Sequence, residues 1–132
     1  AGEAPYPVTG TLWGSGTLSG KFAFRGGRLG VKLDGQSYET VAFANADEAT
    51  FADLDGVDCS VARLPTKSRY LLGDAMGLTD TAARALDISF TVGDGVDEER
   101  AARCTADIHC EVQGGKLYLV NPVGGGFHMI IR

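Results

Sequence analysis

Two residues one strand-step apart carry most of the reactive potential in this chain: His109 and Glu111, in a run where Ala102, Cys104, Ala106, Ile108, Cys110 and Val112 alternate with polar residues. Read as one long strand, that alternation puts both on a single face. Gly114-Gly115 then reads as a hairpin turn that sets Glu111 beside Tyr118 and His109 beside Val120, while Asp87 falls near Arg103 on the neighbouring strand. An imidazole tuned by a carboxylate is the usual vehicle for moving protons near neutral pH. Gathered on an enclosed face, Asp87, Arg103, His109, Glu111 and Tyr118 would suit a cofactor-free isomerase, cyclase or hydrolase. The competing reading is a solvated sheet face with cross-strand ion pairs worth tenths of a kcal/mol, and outward charge is the default for a sheet wet on one side.

Metal chemistry has one candidate. Asp53-Leu54-Asp55-Gly56-Val57-Asp58 has the spacing by which alternate carboxylates converge on calcium, yet Thr66 and Lys67 stand where a distal glutamate ligand would be wanted. An acidic turn accounts for Asp53, Asp55 and Asp58 without an ion, and no metal or other cofactor is expected. Gly14, Gly16 and Gly20 echo a dinucleotide fingerprint but join two strands, whereas phosphate binding needs a strand that opens into a helix. Cys59, Cys104 and Cys110 all fall on apolar faces. On a continuous strand, Cys104 and Cys110 lie about 20 Å apart, too far to bond. Any disulfide therefore joins Cys59 to Cys104 or to Cys110, and the alternative is three small core residues. His128, between Phe127 and Met129 in a final strand, reads as structural.

A third constellation is aromatic. Trp13, Phe22, Phe24 and Tyr38 share an apolar face, which would suit a carrier for a small apolar ligand.

The elements that must hold these groups are written mainly in glycine and alternation. Gly26-Gly27 and Asp34-Gly35 are hairpin signals between strands whose apolar face is Phe22, Phe24, Leu29, Val31, Leu33 and Tyr38. Pairing about them puts Phe24 opposite Leu29 and Val31 opposite Tyr38. A short helix is expected over residues 46–54 and another over 79–85, with strands over 8–13, 57–64, 70–72, 86–92 and 127–131. A helix starting near Asp97 competes for residues 97–104, but period two over six apolar positions favours the strand. The expected fold is all-β with two short helices, an antiparallel meander closing into a small β-barrel, with a two-sheet β-sandwich as the alternative.

At 132 residues the chain fits one domain, residues 1–132, with residues 1–7 as an N-terminal arm. A net charge of −5 with scattered Lys and Arg argues against nucleic acid as a partner. No apolar run is long enough to span a bilayer. The expectation is a soluble protein whose compartment the sequence leaves open: a start at Ala1 without Met fits export with a targeting peptide removed and loss of the initiator Met equally. Functionally, the leading expectation is a non-catalytic binding or assembly module, an acidic β-domain that docks on itself or on a larger protein assembly. The ligand carrier and the His109 enzyme stand as its alternatives.

Overall fold

A parallel stack, rather than a run of hairpins, organises the N-terminal two thirds. The structure is a computed structural model that describes residues 6–44, 50–75 and 77–122. Strands β1 (Tyr6–Val8), β2 (Thr11–Leu12) and β3 (Thr17–Leu18) form a first coil. On it lies a second, made of β4 (Phe22–Phe24), β5 (Arg28–Asp34) and β7 (Ala42–Phe43). Each strand runs parallel to its counterpart, with Tyr6 beside Phe22, Thr11 beside Arg28 and Thr17 beside Ala42. Strand β6 (Ser37–Glu39) folds back antiparallel on β5. Two further parallel strands extend the main sheet: β8 (Gly56–Arg63) on β5, and β10 (Asp87–Val92) on β8.

Parallel register stacks like upon like. Leu12, Leu29, Val57 and Ile88 form one row across the sheet, with Val31, Cys59 and Phe90 in the next and Leu33, Val61 and Val92 in a third. Within these rows Leu29, Val31, Leu33, Val57, Cys59 and Val61 are almost fully buried. Each such side chain contributes roughly 1.5–3 kcal/mol by leaving water. A chain of ring contacts, Tyr6 to Phe22 to Phe43 to Phe51 to Phe24, fills the adjoining corner with centroids 5.5–5.9 Å apart.

A separate sheet, drawn from residues 69–74 and 109–120, is antiparallel. Strands β9 (Arg69–Asp74), β11 (His109–Gln113) and β12 (Lys116–Val120) form a sheet in the order β11-β12-β9. Tyr70, Leu72, Cys110, Leu117 and Leu119 carry its apolar face into the same core. Helix α1 (Asp80–Arg84) is capped by the Thr79 side chain, which accepts from the Ala82 amide, and it packs on β11. Helix α2 (Glu98–Thr105) links β10 to β11 and is capped by Asp97. The Tyr70 hydroxyl donates to the Gly35 carbonyl at 2.7 Å, which pins the β5–β6 turn to the small sheet.

Several expectations are corrected here. The protein is mainly β, but most strand pairs of the N-terminal part are parallel, and no sheet among the described residues closes into a barrel. Gly26-Gly27 is not a hairpin turn. It is a coil corner where a Cβ on Gly27 would collide with the Val8 carbonyl of the coil beneath, so glycine serves close backbone approach there. The Asp34-Gly35 hairpin exists, one residue out of the expected register: Gly35-Gln36 forms the loop and Tyr38 pairs with Leu33 rather than Val31. Residues 98–105 are helical, because the Asp97 cap, two first-turn glutamates and good helix formers outweigh an alternation that is coincidental. The 20 Å separation of Cys104 and Cys110 along a strand therefore falls away, and Cys59, Cys104 and Cys110 are all free thiols. Tyr6 and Pro7, at the end of the expected arm, are part of β1. Of the helix expected over 46–54, the described part is a turn at 50–52, followed by a bridge between Asp53 and Arg25. The expected strand over 127–131, with His128, lies outside the described residues.

Candidate functional site

The acidic loop is organised around an arginine. Arg28 opens β5 with its side chain on the outer face, in the row that also holds Thr11, Gly56 and Asp87. Its Nε donates to Asp58 at 2.6 Å, Nη1 to Asp55 at 2.9 Å, and Nη2 lies 3.1 Å from the Asp87 carboxylate. Asp58 also accepts from Thr11 at 2.6 Å and from Ser89 at 2.5 Å. Burial pushes the Asp58 carboxyl up, but these hydrogen bonds outweigh it and hold the group below the ordinary aspartate range. The guanidinium is raised in the same way: burial lowers it, and the bonds to Asp58 and Asp55 more than compensate. Gly56 is required beside it, since a Cβ there would run into the Asp87 carbonyl and the guanidinium. Asp55 and Asp58 are thus ligands of an arginine, and Asp53 pairs separately with Arg25 at 3.8 Å. No cluster of potential metal ligands occurs among the described residues.

The histidine cluster is also brought together only in part. His109 and Glu111 are neighbours on one face of β11, their Nε2 and Oε2 atoms 2.5 Å apart, and Tyr118 stands opposite Glu111. Asp87 sits on the main sheet with Arg28, and Arg103 lies in α2. In place of those two stand Arg84, whose Nη2 is 3.1 Å from Glu111 Oε1, and Gln113, which donates to the same oxygen at 3.0 Å. The other His109 ring nitrogen meets the Asp107 carbonyl at 2.9 Å. Both nitrogens face acceptors, a setting that favours the doubly protonated ring. Accordingly the His109 pKa is raised, by the Asp107 carbonyl first and then Glu111, with burial opposing. Glu111 is lowered, by His109 first and then Gln113. The chemistry that this arrangement supports is a clamp: Arg84 also pairs with Asp80 at 2.8 Å, and Asp80 accepts the Val112 amide at 2.9 Å, which ties α1 to β11.

The four aromatic candidates do not line one cavity. Phe24 is fully buried, and Phe22 packs between Tyr6 and Phe43. Tyr38 meets Tyr70 edge-on at 5.2 Å. Trp13 lies on the outer face against Gly30, where a Cβ would enter the indole ring. Buried Cys59 and Cys110 have thiol pKa values pushed up to about 12 by desolvation, which makes them poor nucleophiles.

Exposed apolar surface is present on the first coil. Of the three large hydrophobics exposed among the described residues, Tyr6 at 67% and Trp13 at 42% belong to it or to its immediate continuation, and Leu71 on β9 is the third. The amides of Arg25, Arg28 and Ala42 donate to the carbonyls of Val8, Gly10 and Gly16. Successive residues of a parallel strand turn their backbone groups to opposite sides, so Pro7, Thr11 and Thr17 face the outer edge. No described strand pairs with that edge.

No protein-family model, no curated protein and no solved structure matches the chain. No described helix is long and apolar enough to cross a membrane.

In the sequence Arg25 and Arg28 stand only among scattered basic residues, and none of Thr11, Ser89, Asp80 and Arg84 was singled out there. The Asp80–Arg84 pair had a visible signal, opposite charges four apart in an expected helix. Tyr6 had none, because its exposure follows from being at the end of a stack.

Proposed function

We propose that this chain is a non-catalytic assembly module that docks through the outer edge of its first coil. The observation that carries the reading is the coincidence, on one end of a parallel stack, of a backbone edge without a described partner and two exposed aromatics. Every other interface between coils unites backbone pairing with apolar rows, and the outer edge offers the same combination to a newcomer. Thr11 and Thr17 turn donors and acceptors outward, which makes the edge self-complementary, and Pro7 leaves one strand with an acceptor alone. A second copy is the partner that meets these terms without further requirement, and an equivalent coil of a larger assembly meets them as well. The polar clusters support the same reading, since Arg28 and His109 are engaged in ion pairs that hold the fold.

Light scattering over a wide concentration range tests it. The expected mass rises towards a dimer, and Thr17→Pro, which removes an outward donor, stays monomeric while melting like the parent. A strict monomer at every concentration overturns docking between copies.

A further inference from the structure

A groove at the opposite end of the main sheet has the features of a second, independent interaction surface. Strand β10 is the last of the order β10-β8-β5-β2, and among the described residues its far edge has no partner strand. Gly93 donates to Val61 across the β8 side. Residues of the same parity, Asp87, Ser89 and Thr91, therefore turn their backbone towards β8, while Ile88, Phe90 and Val92 turn theirs to the free edge. The side chains of these last three are only half-buried. They form one wall of an open groove of about 430 Å³, with Ala102 and Ala106 of the α2 segment opposite and Ile108 at its base. Small residues on the helical side leave room for side chains brought in by a ligand.

We infer that this groove takes an extended peptide segment of another protein, added as a strand on the edge of β10, with alternating apolar side chains and a basic residue beside Glu98. Three features select that occupant. The edge without a described partner runs the length of β10, Asp87–Val92, about 20 Å of strand, which suits five or six extended residues. The apolar wall repeats every second residue, which matches the side-chain period of a strand and not that of a helix. The end where β10 passes into α2 is acidic: Asp94, Asp97, Glu98 and Glu99 are all exposed there, against Arg100 and Arg103 further along α2. Backbone pairing would supply affinity, the apolar wall the spacing of anchors, and the acidic end the direction.

The test uses the full chain and a fluorescein-labelled hexapeptide of alternating valine and lysine, read by fluorescence anisotropy. Saturable binding is expected. Ala102→Trp, which fills the groove from an exposed helix position, should weaken it at least about ten-fold. Should that variant not fold, Ala106→Phe gives the same reading. Glu98→Lys should weaken binding several-fold and flatten its salt dependence. A peptide N-methylated at alternate amides should not bind. Absence of saturation, equal binding of the N-methylated peptide, or indifference to both groove-filling variants overturns the proposal. Binding that emerges only after residues 123–132 are deleted also overturns it, because the groove would then belong to the chain's own segment.

Discussion

Arg28 draws together residues that lie far apart in the sequence. It binds Asp55 in the turn before β8, Asp58 within β8 and Asp87 at the start of β10, and Thr11 and Ser89 complete the shell around Asp58. Four successive strands of the parallel sheet are therefore registered against one guanidinium. Its planar fork matters, because Nε, Nη1 and Nη2 each have a separate acceptor. Arg28→Lys should cost about 1–3 kcal/mol of stability in urea unfolding, since a single ammonium cannot serve three carboxylates. Asp58 carries the acid side of the same effect: its pKa is lowered, so its contribution is present above the ordinary aspartate value of 3.8 and is lost as pH falls through the lower folded value. A measured loss for Arg28→Lys no larger than that of an exposed lysine would remove the arginine from this role.

Helix α1 is only five residues long, too short to hold itself, and it is kept in place by the line of charges from Asp80 through Arg84 and Glu111 to His109. The sign of its pH dependence follows from two opposite shifts. His109 is raised from 6.5, so its contribution is complete below that value and is lost as pH rises through the folded pKa. Glu111 is lowered from 4.5, so its contribution is complete above that value and is lost as pH falls through the folded pKa. The clamp is therefore tightest between about pH 4.5 and 6.5. The melting temperature of the parent should decline from that window towards pH 8 more steeply than that of His109→Ala, and parallel curves would contradict the assignment. Legibility in the sequence varied among the elements for a physical reason. The Gly114-Gly115 hairpin was readable to the residue, with Val112 opposite Leu117 and Cys110 opposite Leu119, because a two-residue loop fixes register locally. Helix α1 was readable as a short helix over 79–85. Parallel pairing was not, since an alternating strand such as Leu29 to Leu33 has the same pattern whichever direction its neighbour runs, and Gly26-Gly27 satisfies a hairpin and a coil corner equally well. Of the candidate site, the His109–Glu111 pair was visible from period two alone. Its partners Arg84 and Asp80 come from a helix packed across the sheet, while Arg103 lies in α2 and Asp87 on the main sheet beside Gly56.

The stack as a unit has a graded stability. Strands β5 and β8 are flanked on both sides and contribute rows of fully buried side chains, whereas β2 and β3 are two residues long and their Leu12 and Leu18 are only half-buried. Hydrogen exchange should be slowest in the amides of Val31, Cys59 and Val61 and much faster in Leu12 and Leu18, with the first coil opening before the rest. Uniform protection across all coils would mean that the end coil is held by something more than its own contacts. Dimerisation through that coil, measured at high concentration, should slow exchange there and leave the central strands unchanged. The indole laid over Gly30 adds a practical corollary. Trp13 is the sole tryptophan in the chain, and it stands at the seam between the first coil and the second. Its emission colour and quenching by iodide thus become an optical gauge of that seam, able to follow, without any label, the moment the outermost turn peels away.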